Sequence, residues 1–268
     1  MDDELVQEEH PHDDMKTRVK TCICVTLKNM SGDTFEFQAC AKDTALDLKR
    51  QIALQLNIPT ICQKLVAGGT IMADGQQLDF SEFASCEVTM VKCLDQAYDL
   101  LQQGSSNDKI RAAGVIGAFA QPGDEDAIAN LSTCAERDRN FSVRLAAVRA
   151  LAKVATGAAA SRGLALDALI ACATVPGTRA IQDLKRRDLR VASIEALAQV
   201  ATDDDELALQ VLHVSKKKDP DRMVRMSAMN SWKRRVHAGV DDSTRFAVDA
   251  TPFDKTVNAV LTDEWDMQ

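Results

Sequence analysis

The sequence predicts an α+β protein: a small sheet-and-helix domain at residues 21–93, then an all-helical stack at residues 94–236. Three observations carry this. Residues 22–92 are short runs of alternating apolar and polar residues, broken repeatedly by Gly, Asp and Asn. From Leu94 the alternation stops and helix-length Ala/Leu segments begin. Those segments recur as four similar units, which is the mark of a stacked repeat. Acidic segments flank both parts, at residues 1–20 and 237–268.

In the first part, TCICVTLKN is rich in β-branched and small apolar residues, and SGD follows as turn chemistry. TFEFQAC then alternates, with Phe35 and Phe37 on one face and Glu36 and Gln38 on the other. Two such runs around a Gly-containing turn predict a hairpin. KDTALDLKRQIALQLNIP predicts a helix. Thr44 or Asp43 caps it, Leu48, Ile52 and Leu56 form its stripe, Asn57 suits a left-handed end and Pro59 stops it. CQKLVA is a third strand, Gly68-Gly69 a tight turn, TIM a very short strand and Asp74-Gly75 another turn. Leu78 and Phe83 bracket a loop beneath the sheet, and EVTMVKC is the last strand.

This order resembles the β-grasp fold, and by pattern it is similar to ubiquitin. The likeness runs from about Ile23 to Phe83 and loses one residue before the final strand. Gly32, Thr34, Asp43-Thr44, Ile58-Pro59, Gln63, Leu65, Asp74-Gly75 and Leu78 carry it. Gly68-Gly69 then reads as an internal turn. A conjugated modifier needs Gly-Gly at a free extended C-terminus, whereas this domain runs straight into LDQAYDLLQQ. The lysines of ubiquitin's best-known chains correspond to Thr70 and Ser85, which speaks against chain building. The resemblance implies a docking patch on the sheet at Met30, Val66, Thr89 and Val91, with Lys64 beside it. An exposed apolar cluster of that kind calls for a cover, either a partner or the second domain of the same chain.

In the second part, DKIRAAGVIGAFA, FSVRLAAVRALAKVA, RDLRVASIEALAQVA and DRMVRMSAMNSWKRRV align on Arg111, Arg144, Arg190 and Arg225, at spacings of 33, 46 and 35. Small residues follow at 113–114, 146–147, 192–193 and 227–228, and a larger apolar residue comes next: Val115, Val148, Ile194 or Met229. Each segment is preceded by another amphipathic one, so the unit is a helix pair repeated four times. This resembles HEAT repeats. The resemblance implies that each arginine bonds an acid of an adjacent repeat, with Asp138, Asp188, Asp219 and Asp221 as candidates. The third unit is longer by about a dozen residues, within ATVPGTRAIQDLKRR. Three basic runs stand out: Lys185, Arg186 and Arg187; Lys216, Lys217 and Lys218; Lys233, Arg234 and Arg235. On one edge they would form a basic stripe facing acidic partners.

Net charge is −8, but residues 1–20 (seven acids, three bases) and 237–268 (seven acids, two bases) hold the excess, leaving the body near neutral. Nucleic acid is therefore not the expected partner, since phosphate neutralisation needs a basic surface. The eight cysteines form no C-x-x-C, and most lie in apolar contexts, as reduced core thiols do. The acidic start lacks a signal-peptide pattern, and no apolar run reaches the roughly 18 residues of a membrane span. Cytosol or nucleus is the expected setting. His10 and His12 around Pro11 offer at most an adventitious metal contact. In the C-terminal tail, Phe253, Val257, Leu261 and Trp265 lie four apart, as on a short helix that docks on the last repeat.

No phosphate loop, catalytic constellation or cofactor motif is present in the sequence. The expectation is a non-enzymatic adaptor. Its ubiquitin-like module would meet proteasomal or ubiquitin-binding partners, and its HEAT-like stack would hold a second protein. Two alternatives stand beside it. Some HEAT-like proteins resemble bilin lyases, which would make the stack an enzyme or pigment chaperone. The basic runs would otherwise serve salt-sensitive binding of acidic partners or nucleic acid.

Overall fold

The computed structural model describes residues 22–40, 42–78, 86–156, 159–176 and 184–237. The N-terminal acidic segment with His10 and His12, Phe83 and Ser85, residues 177–183 of the long third unit, and the Phe253–Trp265 segment lie outside the described residues. The chain divides after Lys92 into two compact units.

Among the described residues, the first unit is a five-stranded mixed sheet with one α-helix. Strands β1 (Cys22–Asn29) and β2 (Thr34–Cys40) form an antiparallel hairpin. Helix α1 (Ala45–Leu56) follows, then a single 3-10 turn at Thr60–Cys62, β3 (Gln63–Ala67), β4 (Thr70–Ile71) and β5 (Cys86–Lys92). The spatial order is β2-β1-β5-β3-β4, with β1 and β5 parallel and the other neighbours antiparallel. Strand alternation sends Val25, Leu27, Phe37, Ala39, Leu65, Val88 and Met90 to the inner face, where Leu48 and Ile52 of α1 meet them.

Local chemistry explains where the chain turns. Thr44 accepts from the Asp47 backbone N–H while the Asp47 carboxylate accepts from the Thr44 N–H, a reciprocal capping box at the start of α1. Asn57 closes α1 at φ 53°. Gly68 and Gly69 take φ 55° and 81°, so the β3–β4 turn uses the left-handed backbone open to glycine. The Ala73–Gln76 turn carries its carbonyls back to the helix. The N–H of Ala45 donates to Gln76 O, that of Leu46 to Asp74 O, and that of Leu78 to Asp43 O. The frequent turns of residues 64–78 thereby satisfy amides at the start of α1 and seat Leu78 in the core with no exposure.

The second unit is helical. It comprises α2 (Asp95–Gln103), α3 (Ser106–Phe119), α4 (Glu125–Arg137), α5 (Phe141–Val154), α6 (Ala159–Ala173), α7 (Leu184–Val200), α8 (Glu206–Lys218) and α9 (Arg222–His237). Consecutive helices pack as the pairs α2/α3, α4/α5, α6/α7 and α8/α9. The second members also pack in succession, α3 on α5, α5 on α7 and α7 on α9, while α4 packs on α6. This is two layers of helices, with a core of Ala, Leu, Ile and Val between them. Among the described residues, no helix is long and apolar enough to cross a membrane.

Candidate functional site

On the outer face of the first unit's sheet, the register places Val66 opposite Thr89 and Lys64 opposite Val91. Val66 also pairs with Ile71 on β4. These five side chains share one face, because directly opposed residues point the same way. Lys64, Val66, Thr89 and Val91 are half-buried, and Ile71 is 58% exposed. Continuing the parallel β1–β5 register past Asn29–Met90 places Met30 level with Val91. Met30 is 74% exposed. It is presented by a tight loop in which Asn29 Oδ1 accepts from the Asp33 N–H at 2.9 Å and Asn29 Nδ2 donates to Asp33 Oδ2 at 2.9 Å.

The same face changes character across the sheet. On β1 and β2 it carries Thr26, Lys28, Thr34, Glu36 and Gln38, and Lys28 pairs loosely with Glu87 at 3.8 Å. Within the strands, the apolar residues Val66, Ile71 and Val91 lie on the β5-β3-β4 half, beside Lys64, Glu87 and Thr89. The surface therefore has an apolar patch with a polar border, an arrangement suited to a protein partner. Ile71 was not among the residues expected from sequence.

In the helical unit, the arginines do not all behave as the repeat pattern implies. Arg190 Nε lies 3.2 Å from Asp219 Oδ2, with side chains 4% and 9% exposed, and so bonds an acid of the next pair. Arg144 instead donates to the Ala135 carbonyl at 2.6 Å and approaches Cys172 Sγ at 3.6 Å. Arg225 donates to the carbonyls of Asp219 and Pro220. Arg111 is largely exposed and meets only Asp108 of its own helix, at 3.8 Å. In the first pair the equivalent of Arg144 and Arg190 is Lys109, which bonds Asp138 at 2.9 Å. Packing supports this register: Ala112, Ala113 and Ile116 are buried as Ala147, Val148 and Leu151 are, and as Ser193, Ile194 and Leu197 are. Alignment on arginine alone places the first pair two residues out of step.

The acids have a common place. Asp138 and Asp219 are the C-cap residues of α4 and α8, and each accepts at 2.8 Å from the N–H two residues on. After α6 the corresponding residue is Thr174, whose N–H bonds Ile170 O. With no carboxylate there, Arg144 turns to Cys172 and a carbonyl. Burial raises the thiol pKa of Cys172, and that of Cys134 is pushed up to about 11, chiefly by burial and then by Asp138. Both stay protonated at neutral pH, and Cys172 donates to Ala135 O at 3.2 Å.

The three basic runs do not share an edge. The Arg190–Asp219 bond ties the start of α7 to the end of α8, so Lys185–Arg187 and Lys216–Lys218 lie at one end of the helices. Arg235 donates to Ala198 O and, at 2.6 Å, to Ala201 O, at the opposite end of α7. The antiparallel course of α8 and α9 separates Lys233–Arg235 from the other two clusters. Several members are also engaged. Arg186 stacks over Phe141 at 5.5 Å, Arg187 pairs with Asp188 at 2.8 Å, Lys216 sits 4.4 Å over the Trp232 ring, and Arg235 pairs with Asp203 at 3.0 Å. Arg234 and Arg235 line a cleft of about 760 Å³ together with Glu195 and Asp203, so its walls carry both signs. Among the described residues, no group of three or more His, Cys, Asp or Glu could hold a metal ion.

Comparison with known proteins bears on the first unit. Residues 25–82 match the model of the ubiquitin family. Among solved structures, the chain is similar to the C-terminal ubiquitin-like domain of human 2'-5'-oligoadenylate synthetase-like protein, at 25% identity. The match covers 27% of this chain and 82% of that one, with a TM-score of 0.24. No curated protein matches the chain.

Proposed function

We propose that this chain, whose residues 25–82 form a ubiquitin-like domain, is a non-enzymatic adaptor that joins two proteins. The ubiquitin-like domain offers Met30, Lys64, Val66, Thr89 and Val91, extended by Ile71, to receptors that read ubiquitin's sheet face, including proteasomal ones. The paired helices are HEAT-type repeats that hold a second protein. The observation that carries the reading is the apolar half-face on β5-β3-β4 beside a polar half on β1-β2. The internal Gly68-Gly69 turn fits a module that works in place rather than one transferred to a target. The α7–α9 cleft is lined mainly by polar and charged side chains of both signs rather than by apolar and aromatic ones, which also favours protein holding over small-molecule chemistry.

The test uses the full chain and a panel of purified ubiquitin-binding domains, with calorimetric titration as the readout. Binding of at least one panel member is expected, and a Val66→Asp/Val91→Asp double variant should lose about tenfold or more, as loss of central anchors does. Circular dichroism confirms that the variant remains folded. Equal affinity of the native and variant chains, or no binding across the panel and to purified proteasome, would sink the proposal.

A further inference from the structure

The second-member helices carry a surface pattern that their packing uses only in part. In each, an apolar residue directly follows the cation of the shared register (Lys109, Arg144, Arg190 or Arg225): Ile110, Leu145, Val191 or Met226. Two residues further on, Ala112, Ala147, Ser193 and Ala228 have 0% exposure and belong to the core. By contrast, Ile110, Leu145 and Val191 are half-buried, and Met226 is 41% exposed. One turn beyond them, Gly114, Arg149, Glu195 and Asn230 are exposed in every pair. Helices α3, α5, α7 and α9 pack in succession. A Cβ on Gly117 of α3 would meet Ala150 of α5, and Ser227 of α9 donates to Glu195 of α7, so matching positions lie level to within two or three residues. The four apolar residues therefore form one row across the layer, along the edge of its solvent face.

We infer that this row binds an extended segment of a partner protein, acidic and with an apolar residue at every third position; the inference rests on the reading that the paired helices hold a second protein. Spacing is the first argument. Packed helix axes lie about 8–10 Å apart, and the offset of a few residues stretches the step along the row to about 9–11 Å. Three residues of an extended or polyproline II chain cover about 9–10 Å, whereas a helix advances only about 5.4 Å per turn. Four sites then match about ten extended residues. Charge is the second argument. Arg149 and Lys153 stand one and two turns beyond Leu145, exposed and in no ion pair among the described residues. Arg222 and Lys233 of α9 are exposed as well. Glu195, the acid in the bordering row, accepts from Ser227 at 3.2 Å. The same face of a second copy would set these cations against their equals. The row offers no aromatic ring on which a nucleic-acid base would stack.

The probe is a synthetic ten-residue peptide with leucine at every third position and Asp and Glu between, labelled with fluorescein and carrying a diazirine on a central leucine. Anisotropy titration with the full chain is expected to show binding. An isomer with its four leucines gathered at one end should bind at least tenfold more weakly. Leu145→Gln/Val191→Gln and Arg149→Glu/Lys153→Glu chains should each lose tenfold or more. The second variant alters only exposed side chains, so it decides the matter even where the first fails to fold. Photo-crosslinks should map by mass spectrometry to α5 and α7 around Leu145 and Val191. The Val66→Asp/Val91→Asp chain should bind the peptide as the native chain does, which separates this face from the sheet patch. Crosslinks elsewhere on the helical unit would overturn the inference while leaving protein holding intact. No binding, equal binding of the isomer or of a ten-nucleotide oligothymidine, or unchanged affinity in the Arg149→Glu/Lys153→Glu chain would also overturn it.

Discussion

The Arg190–Asp219 pair is the most informative place to perturb the helical unit. Replacing Asp219 with Ala strands a guanidinium that is 4% exposed and whose Nη1 already has no partner. Breaking one half of such a buried pair costs about 3–5 kcal/mol. The change also removes the acceptor for the Asp221 N–H, which becomes a bare helix-start amide. Removing both charges is a different matter. Burial lifts the Asp219 carboxyl above its ordinary pKa, and Arg190 only partly offsets this. Ionisation is thus less favourable here than in water, and the group's stability contribution falls as pH rises through the raised folded value. An Arg190→Met/Asp219→Leu double variant should therefore recover most of the loss, short of the about 1 kcal/mol for the Asp221 N–H left without its acceptor. Urea unfolding followed by far-UV circular dichroism, which reports mainly the helical unit, gives both numbers. A loss below about 1 kcal/mol for Asp219→Ala, the level of an exposed pair such as Lys28–Glu87, would refute the view that this contact is sealed from water.

Gly117 should be intolerant where Gly114 is not. A Cβ on Gly117 would lie 2.8 Å from both Cα and Cβ of Ala150, so Gly117→Ala should cost about 1–3 kcal/mol by forcing α3 off α5. Gly114 faces open space, and Gly114→Ala should gain about 0.8–1 kcal/mol from helix propensity; thermal denaturation of the two variants makes the comparison. Asp138 should give a pH signature opposite to that of Asp219. Burial alone would raise its carboxyl, but the bonds from Lys109 and the Asn140 N–H outweigh this and hold it below the ordinary range. Its stabilisation is therefore present above about pH 3.9 and lost as pH falls through the folded value. The stability gap between native and Asp138→Asn chains, measured by urea midpoint, should be wide at pH 7 and close in that acid window.

Most of the first unit was legible because its code is local. Alternation in TFEFQAC, the Thr44 cap with Asp47, and the left-handed Asn57 each act within a few residues. Ile71 escaped because a two-residue strand has no period. Only its pairing with Val66 shows which way it points. The helical unit was legible at the level of pairs, since small and large residues recur at fixed offsets. Its bonds were not, because they depend on residues 28 or 29 positions away and on chemistry that varies from pair to pair. Lys109 substitutes for an arginine, and Thr174 removes an acid at the site corresponding to Asp138 and Asp219. The basic runs misled for a related reason. Sequence does not show which end of a helix lies beside which, and the reversal between α8 and α9 moves Lys233–Arg235 away from the other two clusters.

Three of the bonds between pairs run forward from a cation at the same place in each pair: Lys109 to Asp138, Arg144 to Cys172, Arg190 to Asp219. As the chain leaves the ribosome, each cation emerges before the group that will receive it. Each of the first three pairs keeps its cation hydrated until the next has been translated. Completion of each of these rungs is thus set from its downstream side, and a stall before Asp219 would leave the Arg190 rung unlatched while the earlier two could close.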